Sequence, residues 1–223
     1  MRIIDISQGW RVGMPKYNAD WYPEFSVDHV MTPRTDPAGV DRTFTYLHLF
    51  AHNGSHVESG LHFYPGGAEI GSFPLDRFIG PACVADLSHR GDLDPVTGDM
   101  LDKAVGSSLR PGMRLLIRTD HPVRHLDNHD YWDTPPYLEE SAAAWIVERQ
   151  VSVVGMDCIT EKPGDRAFPI HRALLRHEIP ILENLANLHA VSDTVVWLFA
   201  APLKITGVEA APCRAVVIEG MPR

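Results

Sequence analysis

The stretch from Thr43 to His62, TFTYLHLFAHNGSHVESGLH, gathers more reactive side chains than any other part of this 223-residue chain. His52, His56, Glu58 and His62 fall there in the order His-x-x-x-His-x-Glu-x-x-x-His. Imidazole nitrogens and a carboxylate oxygen suit borderline-soft divalent ions such as zinc or manganese, and a catalytic site needs about three protein ligands plus an open position for water. An ion held that way lowers the pKa of a water to about 7 and polarises a carbonyl. A His-x-x-x-His pair alone reads more simply as hydrogen-bonded core or surface imidazoles. The carboxylate and the third imidazole are what favour a metal. Gly54, between the first two histidines, argues for a strand end or turn rather than a continuous helix.

A second group lies in FPIHRALLRHEIPILENLANL. His171 opens a predicted helix, and Glu183 follows the short strand Ile179–Leu182, beside Asn184 where the apolar run stops. A carboxylate there is partly desolvated and needs a cation or hydrogen bonds to stay charged. Read alone, these two are a helix-end histidine and an ordinary acidic residue. Trp10, Trp21, Tyr22 and Phe63 have rings able to stack on a planar aryl substrate, although core packing accounts for each more simply.

The elements that must position these residues are mostly strands. β-branched runs predict Ile3–Ile6, Thr43–Leu49, Ala82–Leu87, Arg114–Arg118, Val151–Met156, Thr194–Leu198 and Ala215–Ile218, the second of them running on towards His52. Ser141–Arg149 and Ile170–His177 read as helices, the latter stopping before Pro180. Many strands interleaved with few helices give an α/β class with a mixed β-sheet core. No repeat or linker divides the chain, so residues 1–223 read as a single domain.

Composition narrows the function. A formal net charge of -9 argues against a nucleic-acid partner. No apolar stretch approaches the roughly 20 residues of a membrane span, and MRIIDIS is not a signal peptide. Cys83, Cys158 and Cys213 are scattered and odd in number, as buried thiols of a cytoplasmic protein would be. There is no GxGxxG after a strand, no Walker loop and no GxSxG elbow.

Taken together, the two reactive segments resemble the cyclase-like metal-dependent hydrolases, the family that includes bacterial kynurenine formamidase and isatin hydrolase. Its HxGTHxDxPxH motif stands here as His52-Asn53-Gly54-Ser55-His56-Val57-Glu58-Ser59-Gly60-Leu61-His62. Its downstream pattern stands as Gly155-Met156-Asp157, then His171, then Glu183-Asn184-Leu185-Ala186-Asn187-Leu188. The resemblance implies a swivelling β/β/α fold and a homodimer or larger homo-oligomer. It implies that His52, His56 and Glu58 hold a first zinc or manganese ion, with His171 and Glu183 completing a cluster of one or two ions. It implies that His62 transfers protons. The expected reaction is hydrolysis of an amide, lactam or lactone/ester bond in a small molecule, aryl compounds included. A cyclase or lactonase acting on a non-aromatic substrate, or a catalytically silent metal- or ligand-binding relative, are the alternatives. Three positions depart from the pattern: Glu58 replaces Asp, Gly60 replaces Pro, and Ser55 replaces Thr while keeping the hydroxyl.

Overall fold

Short apolar runs broken by glycine, proline and polar turns fold here into many brief strands. The computed structural model describes residues 1–31 and 42–221. Along them lie β1 (Arg2–Asp5), β2 (Ser26–Met31), β3 (Thr43–His48), β4 (His56–Glu58), β5 (Ile79–Asp86), β6 (Pro95–Val96), β7 (Arg114–Arg118), β8 (Tyr137–Leu138), β9 (Val154–Met156), β10 (Ile181–Glu183), β11 (Val195–Phe199), β12 (Ala210–Pro212) and β13 (Val216–Glu219). The helices are α1 (Gly98–Val105), α2 (His121–His125), α3 (Glu140–Glu148) and α4 (Pro169–Arg176). Nine strands form one mixed sheet in the order β1-β13-β11-β5-β7-β9-β10-β4-β12. The central β5, β7, β9 and β10 are parallel, joined by crossovers that carry the helices, and the strands outside them pair antiparallel.

Side-chain alternation on the central strands feeds two cores. Cys83, Ala85, Leu115, Ile117, Val154, Met156 and Ile181 pack under α1, α3 and α4 through Leu101, Val105, Ala142, Ile146, Ile170 and Leu174. Ala82, Val84, Leu116 and Leu182 point the other way, into a cluster with Ile4, Val57, Ala211 and Val217. Each fully buried Leu, Ile or Val contributes about 1.5–3 kcal/mol. The second cluster draws on β1 and β12, the two edges of the sheet, so the sheet must curl to bring them together. Beyond β1, Ser7 bridges Leu185, and Ala186 N donates to Ile6 O at 2.8 Å, tying the first strand to the end of β10. The layers are therefore sheet, sheet and helices, the β/β/α order the family resemblance implies.

Most predicted elements appear within one to three residues of their expected bounds. Two helices were not predicted. In α1, Thr97 accepts a hydrogen bond from Met100 N and thereby caps the helix, while Leu101 and Val105 fill the buried face. The five-residue α2 follows Asp120, whose φ is 59°. One expectation is corrected: the strand from Thr43 stops at His48 and, among the described residues, pairs only with β2, outside the main sheet. All six residues of β3 are exposed, so its alternation marks no core face and it does not carry His52. Among the described residues, no helix is long and apolar enough to cross a membrane.

Candidate metal centre

The strand that matters most is one of the shortest. β4 lies between β10 and β12, and its register sets His56 opposite Glu183 and Glu58 opposite Ile181. Residues two apart on a strand share a face, as do directly paired neighbours, so His56, Glu58 and Glu183 converge. His171 reaches the same point from α4, which links β9 to β10. His52 arrives from the turn before β4. That turn needs Gly54: its φ is 59°, and a Cβ would stand 2.7 Å from Trp10 Nε1. Tyr22 Oη donates to His52 O at 2.7 Å and fixes the same turn from the other side.

Glu58 is the hub. Its Oε1 lies 2.7 Å from His52 Nδ1 and 3.2 Å from His56 Nε2, and its Oε2 lies 3.1 Å from His171 Nε2. Glu183 Oε1 is 3.6 Å from His171 Nε2. Two sets of potential ligand atoms, His52–His56–Glu58 and Glu58–His171–Glu183, each lie within 4.8 Å of one another and share Glu58. Apart from the half-buried His52, all of these residues are buried.

Outer contacts aim the inner groups. His56 Nδ1–H donates to Gly54 O at 2.8 Å, which aims Nε2 at Glu58. Glu183 Oε1 accepts from Thr160 N at 2.6 Å and Thr160 Oγ1 at 2.7 Å, the hydrogen bonds a desolvated carboxylate needs. Glu161 Oε1 accepts from the backbone N–H groups of Ile170 and His171 at 2.8 and 2.9 Å, and lies 3.3 Å from His171 Nδ1. One carboxylate thus closes the first turn of α4 and orients the imidazole. Ser55 Oγ accepts from Gln8 N at 2.7 Å and donates to Asn184 O at 2.6 Å, so the hydroxyl kept at this position joins three segments beneath the site.

Charges in this pocket are set by one another. Burial raises the Glu58 carboxyl, but the adjacent His171 charge and hydrogen bonds from His52 and His56 outweigh it and hold Glu58 well below the usual carboxylate range. Burial lowers His171, yet Glu58, Glu161 and Glu183 push it well above an ordinary imidazole. His52 is likewise lowered by burial and then lifted to about 9 by Glu209 and Glu58. Burial, with repulsion from Glu58, raises Glu183 against the pull of His171. Protons therefore hold positions that a cation would take, and metal binding would release them. The donor set fits such an ion: three imidazoles and two carboxylates converge, and the buried Glu58 Oε2 accepts no hydrogen bond from the described residues. The two oxygens of Glu58 face different histidines, Oε1 towards His52 and His56 and Oε2 towards His171.

His62 sits in a short 3-10 turn, Gly60–His62, just after β4. Its ring centroid is 4.6 Å from that of His52, 4.5 Å from Phe63 and 6.2 Å from His171. Desolvation among these rings pushes its pKa down to about 4. Its exposed edge limits that desolvation, but in either case the imidazole is neutral at pH 7 and free to accept a proton. The four aromatic residues singled out in the sequence separate. Phe63 packs on His171 at 5.6 Å and Tyr22 on Phe50 at 4.6 Å, both beside the cluster. Trp10 backs the Gly54 turn and packs edge-on against Phe25, whereas Trp21 is 71% exposed at the rim, its ring tilted against Tyr22.

Sequence reasoning missed Glu161, Thr160, Phe50 and Glu209. Glu209 Oε1 lies 3.0 Å from His52 Nε2, and the contact draws its pKa down to about 2. One ligand-type atom each from His52, His62 and Glu209 fall within 4.8 Å of one another. Ser59 places that carboxylate, donating from both N and Oγ to Glu209 O at 2.8 Å.

The chain is similar to known proteins along most of its length. The family described as "Putative cyclase" matches residues 4–161. Kynurenine formamidase from Paracidovorax citrulli is 34% identical over 77% of this chain and 77% of its own. Kynurenine formamidase from Erythrobacter litoralis is 32% identical over 98% of this chain and 94% of its own. The solved structure of a potential metal-dependent hydrolase with cyclase activity is 25% identical, with a TM-score of 0.79 over 99% of both chains. Isatin hydrolase A from Labrenzia aggregata shares the fold, with a TM-score of 0.80 over 97% of this chain and 93% of its own, at 21% identity.

Proposed function

The chain belongs to the cyclase family, and on that premise we propose that it is a metal-dependent hydrolase of the C–N bond in a small aryl formamide or cyclic aryl amide. The observation that carries this reading is the convergence of His52, His56, Glu58, His171 and Glu183, with a neutral His62 at the solvent edge. The five residues would hold one or two zinc or manganese ions. When bound, such an ion supplies Lewis acidity to a carbonyl and to a water.

The chain's own groups do the rest. His62 takes a proton from the attacking water and returns it to the leaving nitrogen, so the amine departs neutral. Glu209, through His52 Nε2, holds the His52 ring with Nδ1 towards Glu58. Phe63, Phe50 and Tyr22 offer apolar ring faces beside the cluster for the aryl group. The exposed side chains of Val30, Phe44, Tyr46, Leu47 and Leu49 on and beside the β2–β3 hairpin, with Trp21, form the surface through which a homodimer or larger homo-oligomer assembles. Buried cysteine thiols such as Cys158 and Cys213 suit a cytoplasmic location.

The test is hydrolysis of a simple aryl formamide before and after chelation. Chelator-sensitive turnover is expected, restored by zinc or manganese. His62→Ala should retain the metal and lose roughly 10²–10⁴-fold in kcat. Turnover that persists in His62→Ala with metal bound would remove the proton-transfer role, and turnover indifferent to chelation would remove the metal.

A further inference from the structure

A second group of ligating side chains assembles where β5 and β7 end, and it shares no residue with the first. Asp92 lies in the turn after β5, and His121 and His125 are the first and last residues of α2. One carboxylate oxygen and one nitrogen from each histidine lie within 4.8 Å of one another. The two rings stack with centroids 4.8 Å apart and planes 28° from parallel, as a spacing of one helical turn dictates. Asp92 Oδ1 and His125 Nε2 are separated by 2.9 Å. Two donors each about 2.0 Å from one ion stand roughly 3 Å apart, so this pair already has a ligand spacing.

Two further features separate this cluster from a surface ion pair. His121 is fully buried, and its Nε2 lies 2.7 Å from Tyr131 O, so Nε2 carries the proton and donates. Its Nδ1 then presents a lone pair in a buried position with no hydrogen-bond partner among the described residues. Burial pushes the His121 pKa down to about 4, which keeps that lone pair available. His125 Nδ1, in turn, faces Asp130 Oδ1 at 3.2 Å. His125 thus has one nitrogen against a carboxylate while the other faces Asp92, and His121 has one nitrogen anchored on a carbonyl while the other stays unclaimed, the second-partner arrangement that metal-bound histidines adopt. Arg124 does not fill that space. Its guanidinium donates to Thr119 O and Arg90 O, at 3.0 and 3.2 Å, and stands 4.0 Å from Asp92.

We propose that Asp92, His121 and His125 form a second divalent-metal site of the zinc class, completed by solvent and independent of the catalytic cluster. Two imidazoles and one carboxylate suit a tetrahedral ion with water in the fourth position. Its place in the fold gives it a structural role. It joins the loop after β5 to α2, and the segment after α2 carries Trp132 against Tyr17 and Tyr22, at 5.9 and 6.2 Å between ring centroids. Tyr131 Oη donates to Asn184 Oδ1 at 3.2 Å, next to Glu183. An ion at this point pins one wall of the candidate active site.

Cobalt(II) reports on tetrahedral nitrogen and oxygen sites through visible absorption. Titrating His56→Ala/His171→Ala, whose first cluster is crippled, should give a saturable signal at one equivalent. Adding Asp92→Asn and His125→Gln should abolish it, and adding Asp130→Asn alone should weaken binding about 10- to 100-fold. No signal in the doubly substituted protein, or a signal that survives Asp92→Asn/His125→Gln, overturns the proposal. If the crippled variant does not fold, zinc content decides. Asp92→Asn/His125→Gln alters a residue at the surface and another half-buried, and it should hold one equivalent fewer than the unsubstituted protein. Equal content overturns the proposal, whatever becomes of the catalytic cluster.

Discussion

Glu161 offers the sharpest separation between holding a helix and holding a metal ligand. α4 begins at Pro169, and the residue before it, Phe168, has φ 50° and no side chain able to cap the helix. Glu161 supplies the missing acceptor from outside the helix, taking both the Ile170 and His171 N–H groups on one oxygen. Glu161→Ala strands two donors in a buried first turn, and each orphaned group costs about 1–3 kcal/mol, so a loss of about 2–4 kcal/mol is expected. For a domain of this size that is roughly 5–15 °C in Tm. The same change frees the His171 ring, and losing such an orienting partner lowers metal affinity by about 10- to 100-fold. Glu161→Gln keeps an oxygen for the two amides but surrenders the charge. It should melt within a few degrees of the parent and still lose about tenfold in zinc affinity. Thermal melts of metal-free protein and zinc titration against a competing chelator read the two effects separately. If Glu161→Ala matched the parent in both, the assignment of Glu161 as cap and orienting group would be wrong.

Ser55→Ala removes the hydroxyl that joins Gln8 N to Asn184 O, leaving two buried groups unpaired at a cost of about 2–4 kcal/mol, whereas Ser55→Thr should stay within about 1 kcal/mol; chemical denaturation with an unchanged m-value checks both. The metal-free protein should also show a pH signature. His52 is raised to about 9 in the fold, so its contribution is fully present below its unfolded value of about 6.5 and is lost as pH rises through 9. That loss is about 3 kcal/mol at most, and Glu209 reports the same contact from the acid side, so the two are counted once. Tm of chelated protein should fall between pH 6.5 and 9, with a smaller fall once zinc replaces the proton; a flat profile in the chelated protein would contradict the charge assignment.

The parallel core was legible because it rests on alternation that burial enforces. The run Arg114–Arg118 is β7 with no offset, and Ala82–Leu87 lies within one residue of the C-terminal end of β5. β4 was not legible, since three residues with one apolar side chain, Val57, carry no period, and its neighbours β10 and β12 supply the reason it is a strand. The hairpin of β2 and β3 misled for the opposite reason: its apolar alternation faces solvent. Spacing alone marked His52, His56, Glu58 and His62, while His171 and Glu183 needed the family resemblance. Glu209 lies 150 residues beyond Ser59, its backbone anchor, and Glu161 caps a helix from nine residues before Ile170. Neither distance leaves a local pattern. The pair His121 and His125 had the helical spacing in plain view, but Asp92, which completes the set, comes from another crossover.

The central claim is that the five converging side chains are metal ligands. Elemental analysis of the purified protein beside His56→Ala, both equilibrated with zinc and manganese and then desalted, addresses it most directly. The unsubstituted protein should carry at least one equivalent of divalent metal that His56→Ala lacks. Equal metal content in the two proteins, or none in either, would contradict the account and withdraw the hydrolase mechanism built on it.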